Sequence, residues 1–125
     1  MQNDKKKVLA VLDDLFFTVK ILDAAKRAGV DIEFIKSDQD LMEKVKDKPM
    51  LIILDLNYSA VQPLKLIEKL KRDKEHRGIS VLSYLSHVQG ELKQAAHDAG
   101  CDMVLARSAF SQNLQQILKR HAGII

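Results

Sequence analysis

The apolar positions of this chain change period repeatedly. Residues 8–12 (VLAVL) form a short apolar run that ends in Asp13 and Asp14. Phe16, Val19, Ile21, Leu22, Ala25 and Ala28 then recur at mostly helical spacings, and Gly29 is placed to stop that helix. Residues 30–35 alternate as VDIEFI, which predicts a short strand with one face more buried. Ser37 is placed to cap a helix from Asp38 to about Lys46, with Asp40 in its first turn, and Pro49 ends the loop after it. Residues 50–54 (MLIIL) are continuously apolar, as in a strand covered on both faces, and lead into Asp55. Pro63 suits a first helical position, and Leu64, Leu66, Ile67 and Leu70 give that helix its stripe. Gly78 precedes a strand over 79–85, followed by Ser86 and His87. An Ala-rich helix over 91–99 closes on Gly100, and a strand over 102–106 leads into Arg107. Phe110, Leu114, Ile117, Leu118 and His121 mark a last helix, with Gly123 as its stop.

These are five strand-then-helix units with short connections. Alternation of this kind predicts a parallel sheet with helices on both faces, an α/β doubly wound domain. No interior linker breaks the chain, so residues 1–125 are expected to form one domain, with its core at about 7–121.

Composition narrows the class. The chain has 125 residues, 46% of them apolar, with two prolines and five glycines, which is enough to bury a core and unlike a disordered segment. The net charge is +3, and the basic runs (Lys5, Lys6 and Lys7; Lys65, Lys69, Lys71, Arg72 and Lys74) carry no interleaved aromatics. Such runs read as solvated faces, so no nucleic-acid partner is expected. With a single cysteine, Cys101, no disulfide can form within the chain, which suits a reducing compartment. The first apolar run is too short for a signal peptide and no stretch could span a membrane, so the expectation is a cytoplasmic protein with no membrane partner.

In open α/β sheets, ligands bind beyond the carboxyl ends of the strands. The residues that follow the apolar runs are Asp13 and Asp14, then Asp55 with Asn57, then Ser86 and His87, then Arg107. A parallel sheet places all of them on one edge. Lys36 and Ser37 follow the second strand, which as an edge strand is expected to lie off the site. Each residue also has a plain structural role. Asp14 can cap the first helix, Asp55 can start a turn, Ser86 can be a turn hydroxyl and Arg107 can be solvated. Together they suggest more. Three neighbouring carboxylates repel unless a cation sits among them. A hard divalent ion, Mg²⁺, resolves that conflict with two Asp, a carbonyl from the turn between Asp55 and Asn57, and waters. A carboxylate beside such an ion can attack a phosphoryl group to form an acyl phosphate, with a cationic side chain neutralising the transferring oxygens.

With those residues in place, the sequence resembles the receiver domains of two-component response regulators, from about Lys7 to His121. VLAVLDD is similar to the family's first strand with its acidic pair, LIILDLN to its third strand with the phosphoacceptor, and AGCDMVLARSAF to its fifth strand and boundary. The resemblance implies a flavodoxin-like fold, a five-stranded parallel sheet in the order 2-1-3-4-5 with five helices. It implies Asp55 as phosphoacceptor, and Asp13, Asp14, Asp55 and the main-chain carbonyl of Asn57 as ligands of Mg²⁺. It implies Arg107 as the phosphate-pairing cation in place of Lys. It also implies a stand-alone module of a phosphorelay rather than an enzyme, with at most self-catalysed phosphorylation and dephosphorylation. Its partners would be a histidine kinase or phosphotransfer protein, and a downstream protein on the face formed by the fourth helix, fifth strand and fifth helix; a homodimer is left open.

The sensing half departs from the family. Ungapped counting puts Leu85 where a Thr or Ser belongs, with Ser83 and Ser86 as the nearest hydroxyls; a one-residue shift lets Ser86 serve. The aromatic switch position on the fifth strand falls on Val104, and a glycine expected after the phosphoacceptor falls on Pro63. Arg107 keeps the charge of Lys but is planar and more weakly hydrated. These departures support an alternative, a phosphorylation-independent pseudo-receiver that acts as a protein-protein interaction module. A third reading, a flavodoxin-like binder of a flavin or corrinoid, meets a loop beginning Asp-Asp-Leu-Phe-Phe that repels phosphate, and no Gly-rich fingerprint. His87 falls where the family can tune loss of the acyl phosphate to water. Of Phe16 and Phe17, one is expected in the core and the other near the pocket mouth, as a partner contact if exposed. His76, His97 and His121 have no partner that the sequence identifies.

Overall fold

The computed structural model describes residues 7–86 and 90–122. Lys5, Lys6, His87 and Gly123 lie outside the described residues. Along the chain run β1 (Lys7–Val11), α1 (Leu15–Ala28), β2 (Asp31–Ile35), α2 (Asp38–Lys44), β3 (Leu51–Asp55), α3 (Pro63–Arg72), β4 (Ser80–Leu85), α4 (Gly90–Ala99), β5 (Met103–Ala106) and α5 (Arg107–His121). All five strands are parallel, in the order β2-β1-β3-β4-β5, so the expected doubly wound flavodoxin-like topology is the observed one.

The two-residue period of the strands divides the core into two layers. Leu9, Val11, Ile52, Leu54, Val81 and Leu85 face α2, α3 and α4, where they meet Leu41, Leu66, Ile67, Leu70 and Ala96. Val8, Ala10, Leu51, Ile53, Leu82 and Tyr84 face α1 and α5, where they meet Phe17, Ile21, Ala25, Phe110, Leu114 and Leu118. β3 is central and covered on both sides, which is why its sequence shows no alternation. Each fully buried Leu, Ile, Val or Phe contributes about 1.5–3 kcal/mol of transfer free energy.

Boundaries shift for identifiable reasons. β2 begins at Asp31 because the N–H of Val30 is spent on the carbonyl of Ala25 (3.0 Å), closing the cap in which Gly29 adopts φ 72°. α2 ends at Lys44 and tightens into a 3-10 turn (Val45–Asp47) that stops on left-handed Lys48. Asp102 precedes β5 and splices it to β4: its N–H donates to Val81 O (3.1 Å) and its carboxylate accepts from Val81 N (2.8 Å). α5 starts on the residue after β5, so Arg107 occupies the first helical position rather than a loop.

Candidate functional site

Asp14 caps α1. Its backbone is extended (φ −96°, ψ 113°), and Oδ1 accepts from the N–H groups of Phe16 (2.9 Å) and Phe17 (3.4 Å). Its other oxygen, Oδ2, accepts from Nη2 of Arg107 at 2.5 Å. The Arg107 guanidinium lies over the Phe17 ring, 4.6 Å from its centroid. That stacking and the ion pair fix the arginine at the sheet edge.

Asp55 is the last residue of β3 and is partly buried. Its Oδ1 accepts from the N–H of Asn57 (2.8 Å), a short local turn. The side-chain oxygen of Asn57 accepts from the N–H of Ser86 (2.8 Å), and the N–H of Leu56 donates to Tyr84 O (2.9 Å). The loop after β3 is therefore tied to the end of β4. Burial raises the Asp55 carboxyl pKa above the ordinary value; the Asn57 N–H and the Arg107 charge pull it down, and the Asp14 carboxylate pushes it up. Asp14, Asp55 and Arg107 thus form one electrostatic unit.

Asp13 does not join them. Its side chain is 60% exposed and pairs with Nζ of Lys36, the residue after β2. Lys36, expected to lie off the site, therefore reaches its edge, and the Asp13 side chain pairs with it rather than with Arg107. The physical reason is that two cations already satisfy the acidic pair, Lys36 on Asp13 and Arg107 on Asp14. Among the described residues, no group of three or more Asp, Glu, His or Cys side chains is placed to hold a metal ion. The magnesium shell expected from Asp13, Asp14, Asp55 and the Asn57 carbonyl is therefore not formed by the side chains as they stand. An entering ion would have to displace Lys36, Arg107 or both.

The sensing positions follow the departures seen in the sequence. Leu85 is 2% exposed and packs with Val104 and Ala96 in the layer under α4, so no hydroxyl stands there. Ser83 is buried with its Oγ 3.1 Å from Sγ of Cys101, a core contact away from Asp55. Ser86 is exposed and lines one pocket with Arg107, Ser108, Ser111, Phe16 and Phe17. Phe17 is in the core and Phe16 is exposed, as the pair of rings was expected to divide. Of the histidines, His121 Nδ1 lies 3.0 Å from Ile117 O, a partner that the sequence does not identify, and His76 is buried with Nδ1 2.9 Å from Asp73 Oδ2 but makes no hydrogen bond there among the described residues.

One neighbour of the site escapes a reading of the sequence altogether. Tyr84 is paired in register with Asp55 and lies beneath the site on the α1 and α5 side. Its only signal is that it is an aromatic within an otherwise aliphatic and serine-containing strand.

The fold is that of response-regulator receiver domains. The chain superposes on the chemotaxis response regulator CheY4 of Vibrio cholerae with a TM-score of 0.79 at 19% identity, over 94% of this chain and 98% of that one. The phosphorylated cyanobacterial phytochrome response regulator RcpA gives 0.78 at 20% identity, over 93% and 90%. The Mn²⁺-bound form of the response regulator Rcp1 gives 0.73 at 19%, over 95% and 91%. No protein-family model and no curated protein matches the sequence.

Proposed function

We propose that the chain is a receiver-type signalling module that accepts a phosphoryl group on Asp55 from a histidine kinase or phosphotransfer partner. The observation that carries this reading is the placement of one partly buried carboxylate, Asp55, at the carboxyl end of the central strand within the field of a fixed arginine, Arg107. Oδ1 of Asp55 is held by the Asn57 N–H, which leaves Oδ2 to attack phosphorus. A P–O or P–N bond to the donor breaks, and the leaving group departs with the electron pair. Arg107 offsets the charge on the transferring oxygens. The event is a stoichiometric modification, reversed by water, and the chain is not read as an enzyme.

The Mn²⁺-bound neighbour Rcp1 supports testing a divalent ion at this site. Mg²⁺ is the ion expected from the sequence. Here it competes with Lys36 for Asp13 and with Arg107 for Asp14, so we expect it to bind weakly. Beside the site, α1 presents Leu15, Phe16, Val19 and Leu22 to solvent, an apolar surface suited to a protein donor. Output through the α4-β5-α5 face is part of the same proposal.

A second reading, the pseudo-receiver, is favoured by buried Leu85 and Val104, which leave the two switch positions without a hydroxyl or an aromatic. The two readings separate on incubation with acetyl phosphate, with Mg²⁺ and with a chelator, followed by intact-mass measurement. One added phosphoryl group on the wild type, absent from Asp55→Asn, supports the first. Absence from both under either condition leaves the second.

A further inference from the structure

Tyr84 sits one residue before the end of β4, opposite Asp55 on β3. Paired residues on neighbouring strands project to the same face, so both point toward α1 and α5. The Tyr84 side chain is fully buried. Its ring stacks on Phe110 (centroids 4.7 Å apart, planes 6° apart) and lies 4.9 Å from the ring of Phe17, the same ring that carries Arg107. This stack accounts for an aromatic residue here, but not for the hydroxyl. Phenylalanine would fill the same space without a buried polar atom.

The Tyr84 hydroxyl is buried and has no hydrogen-bond partner among the described residues. Such a group costs free energy unless something pairs with it. The groups around it are those of the site. Burial first, then the charges of Asp55 and Asp14, raise its pKa, while Arg107 opposes them. The phenol therefore keeps its proton and is a donor. In the resting site the carboxylate oxygens of Asp14 are already engaged by Phe16 N–H and Arg107, and Oδ1 of Asp55 is engaged by Asn57 N–H.

We infer that the Tyr84 hydroxyl donates a hydrogen bond to an oxygen of the phosphoryl group carried on Asp55. This inference rests on the reading of Asp55 as the acceptor. A phosphoryl group brings up to two negative charges and strong acceptor oxygens, and an O–H donor to such an anion forms a short, charge-assisted bond. Tyr84 then supplies, from the α1 and α5 face, the hydroxyl that Leu85 cannot supply from the other. It also links occupancy of Asp55 to Phe110, in the first part of α5.

The chain has no tryptophan and two tyrosines, Tyr58 and Tyr84, so in a Tyr58→Phe background tyrosine emission reports Tyr84 alone. Adding acetyl phosphate to that variant is expected to quench the emission as the adduct appears by intact mass, and to restore it as the adduct is lost. Tyr58→Phe combined with Asp55→Asn is expected to stay silent. In an otherwise wild-type chain, Tyr84→Phe is expected to shorten the adduct lifetime by roughly three- to tenfold, since it removes one charge-assisted donor. If the adduct forms but emission is unchanged and the Tyr84→Phe lifetime matches wild type within about twofold, the inference fails and the Asp55 reading stands. If no adduct forms on the wild type, both fall. Should Tyr84→Phe fail to fold, the emission experiment decides alone.

Discussion

Arg107 reaches from the first residue of α5 to Asp14, the cap of α1, with Nη2 2.5 Å from Oδ2, and so joins the two helices that flank one face of the sheet directly beside Asp55. Both side chains are partly buried. The pair therefore does two things: it ties α1 to α5 and it places a fixed positive charge where phosphoryl oxygens would gather.

Removing the arginine should separate these roles. Arg107→Ala leaves Asp14 without its cation and Asp55 beside an unopposed carboxylate. We expect adduct formation with acetyl phosphate to slow by about two orders of magnitude, and stability to fall by about 1–2 kcal/mol. Arg107→Lys keeps the charge but loses the planar stack on Phe17, so its rate should fall between the two. Rates from intact mass and stability from urea titration check both. Equal rates in all three proteins would remove Arg107 from the site.

Asp55 makes stability depend on pH in a definite direction. Its carboxyl pKa is raised in the fold, with burial as the largest cause. Between the unfolded and folded pKa values the native state holds the extra proton, so stability falls as pH rises through that window. Asp55→Asn removes this effect. Its melting temperature should exceed that of wild type at pH 7, and the difference should shrink as pH falls through the raised folded pKa toward the ordinary carboxylate value. A difference that grows on acidification would contradict the assignment.

Leu85 tests the sensing half. It is buried under α4, so Leu85→Thr replaces packed methyl groups with a hydroxyl in an apolar layer. The expected cost is about 2–3 kcal/mol in urea titration, with the Asp55 adduct still forming. A neutral substitution would mean that this position already tolerates a switch hydroxyl.

Gly100 and Gly78 make a paired test of the scaffold. Gly100 has φ +107°, and a Cβ there would lie 2.9 Å from Cγ of Lys71. The Nζ of Lys71 bonds the carbonyls of Arg77 and Ile79 and the carboxylate of Asp102. Gly100→Ala should therefore cost about 1–3 kcal/mol. Gly78 has open space around its Cβ position, and Gly78→Ala should lie within about 0.5 kcal/mol of wild type. Thermal melts of the two variants suffice.

The sheet and the edge that holds the site are legible in the sequence because Asp14, Asp55 and Arg107 each follow an apolar run, and the parallel order brings those run ends together. Side-chain direction is not legible in the same way. Asp13 and Asp14 are adjacent, yet one turns to Lys36 and the other to Arg107. The edge position of β2 suggests that Lys36 lies off the site, but β2 neighbours β1 and a lysine side chain spans that gap. Tyr84 gives no functional signal in the sequence, because a ring inside an apolar run reads as packing. Only the strand register, which pairs Tyr84 with Asp55, places it beside the site.

The most direct test of the account asks which carboxylate carries the phosphoryl group. Borohydride reduction of the acetyl-phosphate-treated protein converts a phosphorylated aspartate to homoserine, which peptide mass spectrometry then locates. Homoserine is expected at position 55 and none at 13 or 14. Homoserine at 13 or 14, or none anywhere in the chain, would contradict it.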